Sequence, residues 1–368
     1  FSVFSLYEEK ATEQSKEYKN SNFYFVKPPK IINCLDKVIY WIAKNLLKKM
    51  NLISYRYILR RLYVMSKFPP ILLKNDFDRI ILVTNSTLFF VLKDKRVKKK
   101  YKGKTIYYLH NEVRSLFKCE KEAASIRSLI GISEFVNDSF RKQVPTLKKD
   151  QCFVLKNGVD TVKFTERDEV KIKAYKNMYG IEEKDFVVIF AGRLVKEKGA
   201  LETVKAIKEC KDEHIKLLIV GASFYSSDIV DGYTLELQKE AEVIKDRIVF
   251  TGYIDYKDMP SIYQIGNVAV LPSMWEEPAG MTMVEAVVSG LPLITTNSGG
   301  IPEYIPDEFA YILDRNKELI NNISRCILRI KNRTTDNAIS NEEHRNKFID
   351  QIGLEKYFEG FEYILKKG

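Results

Sequence analysis

Short runs of aliphatic, β-branched and aromatic residues recur along the chain between longer polar or amphipathic segments. They predict strands at Phe1–Leu6, Phe23–Val26, Ile80–Val83, Thr105–Leu109, Ser128–Ile132 and Cys152–Leu155. A second set is predicted at Val187–Ala191, Lys216–Val220, Ile248–Thr251, Val268–Leu271, Leu293–Thr296 and Ala310–Leu313. Runs that stay apolar at every position suit strands buried on both faces, and strand alternating with helix predicts parallel sheets wrapped by helices. The chain therefore reads as α/β, a doubly wound pattern occurring twice. Thr165–Asp185 is polar without a strong strand, and Asn157-Gly158-Val159-Asp160 is a turn signal just before it, so the boundary belongs near 165–180. At the far end Phe348, Ile352, Tyr357, Phe361 and Ile364 recur at helical spacing, which predicts one closing helix over Lys347–Lys367.

Composition adds constraints to this outline. The 368 residues allow two domains of ordinary size, and 45% hydrophobic with 30% charged residues excludes the disordered, fibrous and disulfide-framed classes. The net charge of +11 is uneven: residues 1–170 hold 34 Lys and Arg against 18 Asp and Glu, the remainder 26 against 31. An anionic partner should thus meet the first half. Five widely spaced cysteines without a CxxC pair, and three histidines without a metal-ligand spacing, offer no metal or redox site and suit a reducing, cytoplasmic setting. The longest apolar stretch, Ile80–Leu92, is too short to span a bilayer, and Phe1 opens into a strand-like run rather than a basic leader.

Two segments could carry chemistry. In Trp275–Glu303 (WEEPAGMTMVEAVVSGLPLITTNSGGIPE), Glu277 and Glu285 flank a Pro278–Gly280 turn that would lead into a helix. The N–H groups of Gly280, Met281 and Thr282 would then face an anion at the helix's positive end, beside a loop carboxylate able to grip sugar hydroxyls. A first-turn glutamate and a solvated helical one would give the same letters. In Phe190–Gly199 (FAGRLVKEKG), Arg193 and Lys198 leave the carboxyl end of an apolar strand, where open α/β sheets place ligands. Two cations there could neutralise a diphosphate, although an exposed charge run is the alternative.

Together with GYIDYKDMPSIYQIGNVAVLPS, these segments resemble the donor-binding domain of family 4 glycosyltransferases, with order and spacing both matched over Val187–Leu313. YYLHNE, GISEFVNDSF and NGVDTVKF extend the likeness more weakly through the first half. The resemblance implies a GT-B fold, two Rossmann-like domains facing across a cleft. It divides the chain into an acceptor-binding domain at 1–170, a nucleotide-sugar domain at 171–346, and a closing helix at 347–368 packing back toward the first. Because FSVFSLYEE is similar to the second strand of such proteins, the resemblance also implies that an opening βα unit of about thirty residues precedes it; a fragment of a longer polypeptide is the favoured reading, and a first domain built without that strand is the alternative.

By position the resemblance gives Arg193 and Lys198 the donor diphosphate, and Glu285 the ribose. Glu277 falls to the transferred sugar, with Gly280, Met281 and Thr282 near sugar and phosphate, and Tyr253 and Ile254 beside the base. His110, ending KTIYYLH, is similar to the histidine that such enzymes aim at the reaction centre. The implied reaction is retaining and metal-independent, without a cofactor, from a UDP-sugar to a glycan or lipid-linked acceptor in cell-surface polysaccharide synthesis. The other enzymes built on this plan, a nucleotide-sugar 2-epimerase or a phosphorylase, stay open, as does a catalytically idle scaffold.

Asp76-Phe77-Asp78 spells a DxD metal pattern, yet it directly precedes a strand, and capping that strand is the favoured reading. Trp41–Lys67 mixes cations with aromatic and aliphatic residues at helical spacing, which suits a helix on an anionic membrane surface, or equally a core stripe with a solvated basic face. Lys93–Lys104 adds a second basic patch. A peripheral place on the inner face of the membrane follows from the first of these readings. No nucleic-acid-binding motif accompanies the charge.

Overall fold

The computed structural model describes residues 1–6, 8–46, 57–221, 232–332 and 342–367. The chain separates into two compact units. One comprises residues 1–130 and 139–152, and the other residues 131–138 and 153–367. Residues 131–138 and 153–170, assigned to the first half by sequence, thus cluster with the second.

The first unit runs β1 (Ser2–Leu6), α1 (Glu9–Gln14), β2 (Asn22–Val26), α2 (Lys30–Asn45), α3 (Ile58–Lys74), β3 (Ile80–Val83), α4 (Lys95–Lys100), β4 (Thr105–Leu109) and α5 (Glu120–Ala123). β5 (Ser128–Gly131), α6 (Glu134–Gln143) and β6 (Cys152–Val154) follow, the division between the two units falling inside each of them. β3-β4-β5-β6 form one sheet, whereas β1 and β2 pair in parallel as a sheet of their own. The ring of Phe4 on β1 packs edge-on against Phe68 of α3 and Phe77 ahead of β3. In β4 all five residues are buried, and Tyr107 centres an aromatic core with Phe89 and Phe140 at 4.7 and 5.1 Å.

Trp41–Lys67 is not one helix. Trp41–Asn45 ends α2, Ile58–Lys67 begins α3, and 47–56 lie outside the described residues. Asp36 of α2 is buried, and its two carboxylate oxygens accept the N–H groups of Leu59 and Arg60 at 2.8 and 2.9 Å. A carboxylate from one helix thereby satisfies the free donors that open the next.

The second unit runs α7 (Thr161–Thr165), α8 (Glu169–Met178), β7 (Phe186–Ala191), α9 (Ala200–Cys210), β8 (Ile215–Val220), α10 (Gly232–Glu242), β9 (Ile248–Gly252), α11 (Met259–Tyr263) and β10 (Val268–Leu271). It continues with α12 (Met281–Val288), β11 (Leu293–Thr296), α13 (Ile301–Tyr304), β12 (Ala310–Leu313), α14 (Leu319–Lys331), α15 (Glu342–Ile352) and α16 (Leu354–Lys367). Its six strands make one all-parallel sheet, β12-β11-β10-β7-β8-β9. The central strands are buried on both faces, as their unbroken apolar runs require.

The single closing helix expected over 347–368 is two helices that break at Gly353. There Val159 N donates to Ile352 O at 2.9 Å, and Val159 bridges Gly353. A β-like bridge at that point interrupts the helical ladder. Among the described residues no helix is long and apolar enough to cross a membrane.

Candidate functional site

The sheet of the second unit reverses its direction of growth once. From β7 the chain adds β8 and β9 on one side and then returns to add β10, β11 and β12 on the other, so β7 and β10 are neighbours. The loops that leave such a pair at their carboxyl ends diverge and open a crevice, the usual ligand position of a parallel sheet. The principal candidate residues lie on these two loops.

Arg193 stands two residues beyond β7, and Lys198 ends the short 3₁₀ turn Lys196–Lys198. Gly199 then opens α9 with φ +73°, and a Cβ at that position would strike the backbone of Pro272 on the other loop. Glycine there lets the loops touch backbone to backbone. Across this contact Lys198 Nζ reaches Glu277 Oε2 at 2.6 Å. Trp275 Nε1 donates to the same oxygen at 2.9 Å and Ser273 Oγ at 3.5 Å. Lys198 is therefore not an isolated cation waiting for a diphosphate. One of its three N–H donors holds the buried Glu277, leaving its charge and remaining donors at the loop junction.

The backbone beneath Glu277 is fixed as firmly. Gly300 N donates to Glu277 O at 2.7 Å, and Gly299 N to Glu276 Oε2 at 2.7 Å. Glu276 also pairs with Arg315, which holds its carboxyl below the usual range. Gly299 has φ +54°, and a side chain there would collide with the Glu277 backbone. Ser133 Oγ donates to Pro278 O at 2.7 Å.

α12 begins as its sequence predicts, with Gly280 as N-cap at φ +74°. Met283 N and Val284 N make the first bonds back to Gly280 O, so the N–H groups of Met281 and Thr282 precede the helical ladder at its positive end. Glu285, one turn further, is neither a first-turn nor a solvated glutamate but 8% exposed. Tyr263 Oη on α11 donates to Glu285 Oε2 at 3.4 Å and to Thr282 O at 3.1 Å, and the nearby Tyr256 hydroxyl also favours the charged carboxylate. Burial pushes the Glu285 carboxyl up to about 7 despite these hydrogen bonds and nearby Lys163. The Tyr263 hydroxyl, buried against the same carboxyl, is raised well above its ordinary value.

Tyr253 and Ile254 follow β9 at the edge of the sheet, two strands from β7; Tyr253 is exposed and Ile254 half-buried. His110, in the first unit, directly follows β4. Its Nδ1 lies 2.8 Å from Thr84 Oγ1, its ring lies against Tyr108, and burial lowers its pKa, so the imidazole is neutral near neutral pH. Thr84 has φ +59°, a backbone that β-branched residues seldom adopt. It is pinned there by Thr84 N to Tyr108 O at 2.7 Å and by Tyr107 Oη to Thr84 O at 2.7 Å.

Asp76 of the DxD pattern pairs with Lys100 at 2.9 Å, which lowers its pKa. Among the described residues no three His, Cys, Asp or Glu side chains gather into a metal-sized group. Sequence reasoning did not single out Trp275, Tyr256, Tyr263, Thr84 or Glu276. A tryptophan two residues ahead of Glu277 was the one local hint, since a buried indole N–H seeks an acceptor.

Comparison with known proteins points to one family and one fold. The family model for glycosyl transferases group 1 matches residues 171–351. YtcC of Bacillus subtilis (strain 168) is 31% identical over 251 residues, covering 61% of each chain. The UDP-Gal:alpha-D-GlcNAc-diphosphoundecaprenol alpha-1,3-galactosyltransferase of Escherichia coli is 26% identical over 211 residues, 55% of this chain and 51% of that one. The aligned parts thus span between about half and two thirds of these relatives' lengths. Anabaena Alr3699/HepE, solved in complex with UDP, superposes with a TM-score of 0.72 at 16% identity over 99% of this chain and 91% of its own. That likeness places the chain in the GT-B fold.

Proposed function

Residues 171–351 make the chain a member of the glycosyl transferases group 1 family, and from that premise we propose that it moves a hexose or N-acetylhexosamine from a UDP-sugar to a hydroxyl of a glycan or lipid-linked acceptor. The observation that carries the reading is the Lys198–Glu277 contact at the β7/β10 reversal, with the first turn of α12 beside it. A cation, a carboxylate and free N–H groups are what the diphosphate and hydroxyls of one ligand require together. The UDP held by the Anabaena structure and the UDP-Gal in the name of the Escherichia coli relative favour uridine as the base.

In this proposal the reaction is retaining and metal-independent. The bond from the anomeric carbon to the diphosphate oxygen breaks as the acceptor hydroxyl enters on the same face, and the departing phosphate oxygen takes the acceptor's proton. Arg193, Lys198 and the N–H groups of Met281 and Thr282 stabilise the leaving diphosphate. Glu277 and neutral His110 position the sugar, Glu285 takes the ribose hydroxyls, and Tyr253 and Ile254 border the base. The first domain would receive the acceptor, in cell-surface polysaccharide synthesis at the cytoplasmic face of the membrane.

A thermal-shift series with UDP, UDP-glucose, UDP-N-acetylglucosamine and GDP-mannose tests the donor site. A ligand at a hundred times its Kd should stabilise the fold by about 2.7 kcal/mol. No shift with any of the four would overturn the reading. Product analysis separates transfer from 2-epimerisation and phosphorolysis, and binding without turnover would identify an idle scaffold.

A further inference from the structure

α2 turns an apolar face to solvent. Ile31, Leu35, Val38, Trp41, Ile42 and the following Leu46 are each between 37% and 67% exposed. At about 100° per residue they fall within an arc of roughly 140° on one side of the helix. The other side holds buried Ala43 and Asp36, and Asp36 is tied to the N–H groups of Leu59 and Arg60. Rolling α2 to hide its apolar arc would break both bonds and strand a buried carboxylate. The orientation is thus fixed with the stripe outward, opposite to the arrangement of an ordinary surface helix.

Charge selects the occupant. α2 carries Lys30, Lys37 and Lys44 in a row that the same helical period places beside the Trp41 margin of the arc. α3 adds Arg60, Arg61, Lys67 and Lys74. The one carboxylate in either helix is Asp36, which is buried and engaged. An aliphatic arc, a tryptophan at its edge and a flanking row of lysines without exposed acids match an anionic lipid interface, which offers hydrocarbon at one depth and phosphate at the next.

We propose that α2 is an interfacial anchor that lies in the surface of an anionic phospholipid bilayer, its apolar arc among the acyl chains and Lys30, Lys37 and Lys44 on headgroup phosphates. This deepens the membrane-peripheral part of the proposed function and rests on it, but it does not depend on the donor chemistry.

The test uses the full chain and vesicles of phosphatidylcholine with or without phosphatidylglycerol. The sequence has two tryptophans, so in Trp275→Phe the emission reports Trp41 alone. Expected are a blue shift and quenching by brominated lipid on phosphatidylglycerol vesicles, weakened by salt and weak on pure phosphatidylcholine. Leu35→Glu with Val38→Glu should lower partitioning at least about tenfold, with the circular dichroism spectrum unchanged. Val170→Glu, a control at an exposed valine of α8, should leave it as it was. Equal partitioning of the double variant, no partitioning at low salt, or a stable dimer abolished by the same double substitution would each overturn the proposal. The UDP thermal shift, followed in parallel on the unsubstituted protein, separates the two ideas: vesicle binding without a UDP shift strikes the donor assignment and leaves the anchor standing.

Discussion

Lys198 Nζ and Glu277 Oε2, 2.6 Å apart, join the loop after β7 to the loop after β10. Because each side chain holds the other, replacing either one disturbs both. Lys198→Ala and Glu277→Ala should each lower turnover by two to three orders of magnitude, ~3–4 kcal/mol of barrier. The double variant should lose far less than the sum of the two. Arg193→Ala should cost a similar amount. Steady-state kinetics beside thermal melts decide the matter, and near-normal turnover in Arg193→Ala and Lys198→Ala would remove the diphosphate assignment.

Glu285 should link pH to both binding and stability. Its folded-state pKa is raised from 4.5 to about 7, so the folded protein binds more protons than the unfolded chain between those values. Stability should therefore fall as pH rises through that window, by an amount on the order of 3 kcal/mol at about 1.4 kcal/mol per pH unit. Glu285→Gln should flatten the melting-temperature profile between pH 5 and about 8 while weakening UDP binding, because the neutral amide supplies no charged acceptor for ribose hydroxyls. For the native protein UDP affinity should rise with pH through about 7. Calorimetric titration at several pH values checks the sign.

Trp275 donates to Glu277 without standing on either reversal strand. Trp275→Phe keeps an aromatic ring and deletes the N–H, so the expected loss is near 1 kcal/mol, about fivefold in turnover. The effect should fall on kcat, with the donor KM moving by no more than about twofold. A fall in melting temperature with kcat unchanged would mark the indole as packing alone.

Thr84 is held in a left-handed backbone conformation beside His110. Thr84→Gly relieves the backbone and removes the hydroxyl, so melting should stay level or rise by an amount worth up to about 1 kcal/mol while turnover drops. Thr84→Ser keeps the hydroxyl and should recover most of the activity. If both variants work alike, the Oγ1–Nδ1 contact does not position the imidazole.

The strands were readable because each is an unbroken apolar run bounded by polar segments, and all twelve begin and end within one residue of their predicted limits. The start of α12 was equally legible, since Pro278 and Gly280 announce it locally. Pairings between distant segments were not. Lys198 and Glu277 lie 79 residues apart, and their meeting depends on the order β10-β7, which alternation of strands and helices leaves open. Glu285 could equally be solvated until Tyr263 arrives from α11. The break at Gly353 is dictated by Val159, nearly two hundred positions away in the chain, so periodicity alone predicted an uninterrupted helix.

The second unit is also discontinuous. Its segment 131–138 is separated from the remainder by a stretch belonging to the other unit. Within it the Glu303 carboxylate accepts the N–H groups of Glu134 and Phe135 at 2.6 and 2.8 Å, and Tyr304 Oη donates to Ile132 O at 2.8 Å. A fragment excised by one cut at residue 153 or 171 would keep Arg193, Lys198, Glu277 and Glu285. It would leave Glu303 facing no helix terminus, Tyr304 without that acceptor, and the Pro278 carbonyl without Ser133. Grafting this unit into a chimera therefore calls for three splice points, before residue 131, after residue 138 and before residue 153, with residues 131–138 carried along as part of the transplanted piece.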